Sequence, residues 1–191
     1  EDDGTAVRRW AGSGIQGIRL RVNSRAAAAD PLAQWRAASQ AGLVVSAPCR
    51  PEWLLSAEFL EVIDTFPDLC IVIEHLGGMG TDAEAPYDEF RRALERVSPR
   101  PNLSMKLPGF GEFCPVPLPF GPIPPLARMA LDAFGPKRMM WGSDYPPVST
   151  REGYDNSLRL PLEYFSDLSE DDRASIFGAT AQAVWGLPAV N

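Results

Sequence analysis

Five short apolar runs recur along the chain: QGIRLRV (16–22), LVVSA (43–47), LCIVIE (69–74), NLSMKL (102–107) and RMMWGS (138–143). Several are continuous rather than alternating, as in strands buried on both faces of a parallel sheet. Between them lie stretches with helix punctuation. PLAQWRAASQAG (31–42) opens on Pro and closes on Gly, the usual asymmetry of helix ends. PEWLLSAEFLEVIDTFP (51–67) begins and stops at Pro. PYDEFRRALERVSP (86–99) has apolar residues at 87, 90, 94 and 97, a helical stripe. PIPPLARMALDAFGP (122–136) ends in Gly-Pro, a firm stop. Two more helical segments follow the last run, over 157–168 and 169–187. In the second, Ser169 and Asp172 have the spacing of a capping box.

The order strand–helix therefore repeats five times, with run centres near 19, 45, 72, 104 and 140. A (β/α)8 barrel of about 250 residues gives about 31 residues per unit, and the observed steps bracket that value. The competing architecture is an open doubly wound sheet, which usually carries G-x-G-x-x-G after its first strand. GSGIQG (12–17) fits that spacing but precedes a strand, so it is discounted. The predicted fold class is α/β, an incomplete (β/α)8 TIM barrel.

The chain has 191 residues, 45% hydrophobic and 23% charged, an ordinary globular balance. A formal net charge of −7 leaves no basic footprint, so nucleic acid and anionic membrane are not expected partners. No apolar run approaches the roughly 20 residues that span a bilayer. The first ten residues do not read as a signal peptide, and EDDG reads as a solvated, frayed end. Three scattered cysteines, Cys49, Cys70 and Cys114, suit neither a disulfide framework nor a CxxC metal site. A cytoplasmic setting is expected.

In a parallel barrel the chemistry lies at the carboxyl ends of the strands. The first run offers Arg19 and Arg21, with Arg25 just beyond; the second leads to Cys49 and Arg50. The third ends on Glu74 and His75, the only histidine, followed by Leu-Gly-Gly. The fourth carries Lys106, and the fifth ends on Asp144, where Pro146-Pro147 stops the strand. Asp144 could take a proton from water, bind a metal, or serve as a loop acid. Arg19 and Lys106 could form barrel-layer salt bridges or clamp an anion. The irregular segment 107–122 is long enough to suggest function; Phe110, Phe113 and Phe120 could wall a substrate or pack the loop on itself.

Four stretches, GIRL (17–20), IEHLGG (73–78), MKLPG (105–109) and FGPKRMMWGSDYP (134–146), together resemble the amidohydrolase-related (amidohydrolase 2) family. The resemblance covers nearly the whole chain. It implies a (β/α)8 hydrolase, lactonase or decarboxylase whose strands 4 to 8 are the five runs. Residues 1–191 are then expected to be the C-terminal portion of a single barrel domain, inactive alone. His75 matches the family's strand-6 histidine and Asp144 its strand-8 aspartate. Lys106 falls in a Lys-Leu-Ser-Gly motif, here with Pro108 in place of Ser. The family's strand-1 His-x-His is absent, and SAPCRPEWL (46–54) has no strand-5 histidine.

The lactonase-like branch, similar to 2-pyrone-4,6-dicarboxylate lactonase and the sugar-lactone hydrolases, tolerates the second lack. The expected reaction is opening of a lactone of a small organic acid, with Asp144 activating water and His75 polarising the carbonyl. Arg19, Arg25, Arg50 and Lys106 are the expected substrate-binding residues. The resemblance leaves the cofactor at none or a divalent metal such as Zn²⁺, held by His75 and Asp144 if bound. The alternatives are a Zn²⁺-dependent decarboxylase of the same superfamily and a truncated, non-catalytic segment bound to a partner chain. The expected partners are a small-molecule organic acid or sugar lactone and other copies in a homo-oligomer.

Overall fold

The computed structural model describes residues 3–27, 29–115 and 118–188. Five strands, β1 (Gly17–Arg19), β2 (Val44–Ala47), β3 (Ile71–Ile73), β4 (Leu103–Leu107) and β5 (Met139–Trp141), form one sheet. All neighbours are parallel, and the order in space is the order in sequence. Right-handed crossovers that always step the same way place every connecting helix on one face. A doubly wound sheet would reverse direction at a switch point; this one does not. The sheet is an arc of a barrel, incomplete as expected.

The strands are shorter than the apolar runs. The first run stops being a strand at Arg19, although Leu20 still donates its N–H to Ser46. The helices are α1 (Thr5–Ala11), α2 (Ala33–Gln40), α3 (Ala57–Thr65), α4 (Asp88–Val97), α5 (Leu126–Phe134), α6 (Tyr154–Tyr164), α7 (Glu170–Ala174) and α8 (Thr180–Trp185). The stretch 51–67 splits into a turn at Pro51–Leu54 and then α3, because the Ser56 hydroxyl accepts from the N–H of Phe59 and caps a new start. The expected cap at Ser169 forms on the N–H of Asp172. A π turn (Ser175–Ala179) joins α7 to α8.

Pro161 lies inside α6. Proline has no N–H, so the carbonyl of Ser157, four residues back, loses its helical donor. The indole N–H of Trp141 donates to that carbonyl at 2.9 Å. One α6 defect thus ties the helix to the end of β5.

Helix α1 starts directly after EDDG and is not among the helices expected from the sequence; of EDDG, Glu1 and Asp2 lie outside the described residues, Asp3 is exposed and Gly4 is buried. Val7 is its only buried residue, so it carries no apolar stripe to read. No helix among the described residues is long and apolar enough to cross a membrane.

Strand alternation gives the sheet two different faces. Val45, Ala47, Ile71, Ile73, Met105 and Leu107 face the main core with the helices. On the other face Val44, Val72 and Met140 meet Ala181, Val184 and Trp185 of α8. A Cβ on Gly17 would lie 2.7 Å from the Trp185 ring, which shows how closely that helix seats against β1. The same face is polar towards the carboxyl ends, where it carries Arg19, Ser46 and Glu74.

Candidate active site

The chain leaves β3 through an unusual turn. His75, Leu76, Gly77 and Gly78 all have positive φ, at 51, 51, 70 and 77°. For the two non-glycine residues this costs roughly 1–2 kcal/mol each. Complete burial of the Leu76 side chain offsets part of it. Gly78 cannot be replaced, since a Cβ there would lie 2.1 Å from the carbonyl oxygen of Cys49.

This turn sets the His75 ring among three carboxylates. Nε2 is 3.5 Å from Asp144 Oδ1 and 3.8 Å from Glu74 Oε2, while Nδ1 is 3.6 Å from Glu112 Oε1. None of these is a hydrogen-bond distance. Nδ1 is buried and has no hydrogen-bond partner. Burial, and next the charge of Lys106, hold the imidazole pKa below its ordinary value, outweighing the three acids. The neutral ring that results at neutral pH can donate, accept or ligate.

Asp144 follows β5 and also has a left-handed backbone, with φ 57°. Two residues earlier, Gly142 lies against Lys106: a Cβ there would sit 2.6 Å from the lysine Cε. Glu112 ends a 3-10 turn (Phe110–Glu112) after β4. Phe110 and Phe113 are buried in the main core and Phe120 packs partly against it, so this loop packs inward instead of walling a substrate.

Two residues that sequence reasoning missed complete the cluster with Glu112. Arg151 donates to Glu112 Oε2, and its Nη2 forms an ion pair with Asp144 Oδ2 at 3.2 Å. Glu152, whose side chain is fully buried, lies 3.6 Å from Arg151 Nε and accepts from the N–H of Gly111 at 3.1 Å. The irregular length of 107–122 signalled the loop, but no pattern distinguished its acid from its phenylalanines. Nothing in the sequence marked Arg151.

Of the other expected residues, Arg19 reaches the site. Its Nε and Nη2 fork onto Glu74 at 2.9 and 2.6 Å, and Ser46 also donates to Glu74. Burial raises the Glu74 pKa, but these bonds and the Lys106 charge outweigh it and hold the carboxyl below its usual value. Arg25 is placed elsewhere, bonded to the carbonyl of Glu58 and the carboxylate of Glu61 on α3. Arg50 stacks over Trp53 at 5.8 Å and lines a neighbouring cavity of about 700 Å³. A smaller cavity of about 250 Å³ holds the chemistry, lined by Arg19, Cys49, Glu74, His75, Glu112 and Asp144. Burial raises the Cys49 thiol far above its ordinary pKa, so it is no nucleophile at neutral pH.

His75, Glu112 and Asp144 each present one ligand atom, all within 4.8 Å of one another. The set fits a divalent cation. Three protein ligands suit a catalytic Zn²⁺, and a buried ring nitrogen lacks any other partner. Arg151 holds the outer oxygens Oε2 and Oδ2 and leaves Oε1 and Oδ1 facing the histidine. Ligating carboxylates are commonly anchored in this way.

The chain is similar in sequence and fold to known proteins. An L-fucono-1,5-lactonase of Burkholderia ambifaria is 31% identical over 122 residues, 61% of this chain and 41% of its own. That of Burkholderia multivorans is 42% identical over 60 residues, 31% of this chain and 20% of its own. The chain thus spans less than half the length of the curated relatives it matches. The crystal structure of an amidohydrolase from Burkholderia multivorans with bound HEPES superposes with a TM-score of 0.82 at 22% identity, covering 98% of this chain and 72% of that one. A second crystal form of that amidohydrolase, with bound zinc, gives 0.79 at the same identity and coverage. The amidohydrolase family model (Amidohydro_2) matches residues 5–187, and the chain belongs to that family.

Proposed function

We propose that the intact protein opens a lactone or related cyclic ester of a small organic acid. The observation that carries this reading is the convergence of His75, Glu112 and Asp144 on one cavity at the carboxyl ends of the strands. Similarity to two L-fucono-1,5-lactonases supports it.

Asp144 takes a proton from water as the water oxygen bonds to the lactone carbonyl. The N–H of neutral His75 donates to the oxyanion as it forms. The ring C–O bond then breaks, and the alkoxide takes up the proton that Asp144 accepted, leaving a hydroxy acid. Glu74 engages only the Nε and Nη2 groups of Arg19, so Nη1 remains for a substrate carboxylate. Lys106 adds positive charge beside His75 and Glu74. A divalent cation held by His75, Glu112 and Asp144 would, when bound, act as a Lewis acid on the carbonyl and acidify water.

The test is turnover of a panel of sugar and dicarboxylate lactones by the intact protein and its Asp144→Asn variant. The variant should lose roughly 10²–10⁴-fold in kcat. Turnover close to wild type in that variant would overturn the assignment. The cation-holding cluster also supports a second reading, a metal-dependent decarboxylase. Stoichiometric zinc, activity lost on chelation, and CO₂ release without lactone hydrolysis would favour it.

A further inference from the structure

Among the described residues, Arg151 is the one cation that pairs with three carboxylates. Its Nη1 bonds Glu112, its Nη2 pairs with Asp144, and its Nε faces Glu152. It takes the outer oxygen of each of the first two, so their inner oxygens point at opposite nitrogens of the His75 ring. The guanidinium is planar, so it fixes two acceptors at a set separation, which a lysine cannot do.

Behind Arg151 the contact is a charge pair: Arg151 Nε and Glu152 Oε2 are buried, 3.6 Å apart, and neither makes a hydrogen bond. Glu152 is fully buried at its side chain and also holds the N–H of Gly111, on the turn that carries Glu112. One buried acid therefore braces both the clamp and the loop it clamps. Without Arg151, Glu112, Asp144 and Glu152 would crowd negative charge into a half-buried space and move apart.

We infer that Arg151 is a positioning residue: it sets the spacing of Glu112 and Asp144 about His75, and through that spacing the site's affinity for a divalent cation. It touches neither substrate nor cation. The inference shares its site with the proposed hydrolysis but does not depend on which reaction occurs there.

The experiment measures Zn²⁺ affinity of the intact protein by competition with a chromogenic chelator, for wild type, Arg151→Met and Arg151→Lys. Thermal unfolding of the zinc-free forms closes a double-mutant cycle between Arg151→Met and Glu112→Gln. The expected result is a Kd for zinc raised roughly 10–100-fold in Arg151→Met, with part of the loss recovered in Arg151→Lys. The cycle should be non-additive, because Glu112→Gln relieves the repulsion that Arg151→Met creates. Zinc affinity equal to wild type in Arg151→Met would overturn the inference. If wild type binds no zinc, the metal reading falls and the cycle decides: non-additivity upholds the clamp and additivity removes it. If Arg151→Met does not fold, Arg151→Lys carries the zinc comparison and its own cycle with Glu112→Gln. Absence of lactone turnover in wild type, beside a non-additive cycle, would sink the proposed reaction and leave the clamp standing.

Discussion

Asp144 Oδ1 stands 3.5 Å from His75 Nε2, and both residues hold left-handed backbones at the ends of their strands. That conformation is uncommon for a non-glycine residue, although aspartate and histidine adopt it more readily than most, and strained positions cluster at functional sites. The buried Leu76 anchors one side, and the Arg151 ion pair holds the other.

The pairing separates chemistry from folding. Asparagine tolerates positive φ as well as aspartate does and occupies the same space. Asp144→Asn should therefore fold with a Tm within about 3 °C of wild type, since isosteric changes outside the core cost little. Its loss should fall on kcat with KM nearly unchanged, as for an interaction made in the transition state. A Tm lowered by 10 °C or more (about 3 kcal/mol or more) would show that Asp144 is chiefly structural.

Much of this was legible in the sequence because it depends on local order. Continuous apolar runs spaced at one barrel unit gave the strands, and the residue just past each run gave His75 and Asp144. Glu112 and Arg151 were not legible. They arrive from irregular turns whose direction depends on the buried Glu152 and on the close approach of Gly109 and Gly111 to it. The break in 51–67 turned on one hydroxyl, that of Ser56, inside an otherwise continuous helical pattern. Arg25 shows the reverse: a cation beyond a strand end that folds back onto α3.

The Arg19–Glu74 pair predicts a pH-dependent stability. Glu74 is almost fully buried and its folded pKa lies below the ordinary 4.5. A depressed acid stabilises the fold above its unfolded pKa and loses that contribution as pH falls through the folded value. Arg19→Met should thus cost about 2 kcal/mol at pH 7, between a buried and an exposed pair because Arg19 is open to solvent. That is roughly 4–8 °C in Tm. The gap to wild type should shrink below pH 4.5 and close as Glu74 protonates. A gap that stays constant down to pH 3 would mean that Arg19 acts through packing alone.

Glu152 makes a sharper demand on its neighbours. A Cβ on Gly111 would lie 2.0 Å from Glu152 Oε2 and 2.8 Å from its Cδ. The carboxylate is fully buried and cannot swing aside without losing Arg151 and the Gly111 N–H. Gly111→Ala should cost at least about 3 kcal/mol, or 6 °C or more in Tm. Gly121→Ala is the control, since nothing lies within 4 Å of its added carbon. Equal melting of the two variants would show that the Glu152 brace is loose.

Lys106 and Gly142 test how the site selects charge. The lysine stem lies against Gly142, and its ammonium is close enough to depress the pKa of both His75 and Glu74. Such a charge attracts an anionic substrate and contributes little to a neutral one. Lys106→Met should raise KM roughly 10-fold for a lactone bearing a carboxylate, about the value of one charge-assisted hydrogen bond. For a neutral lactone the change should stay within about 2-fold, and raising salt should erase the difference. Gly142→Ala should act in the same direction without removing any charge, because its Cβ would displace the lysine Cε. If both variants raise KM equally for charged and neutral lactones, Lys106 shapes the cavity and does not read the substrate's charge.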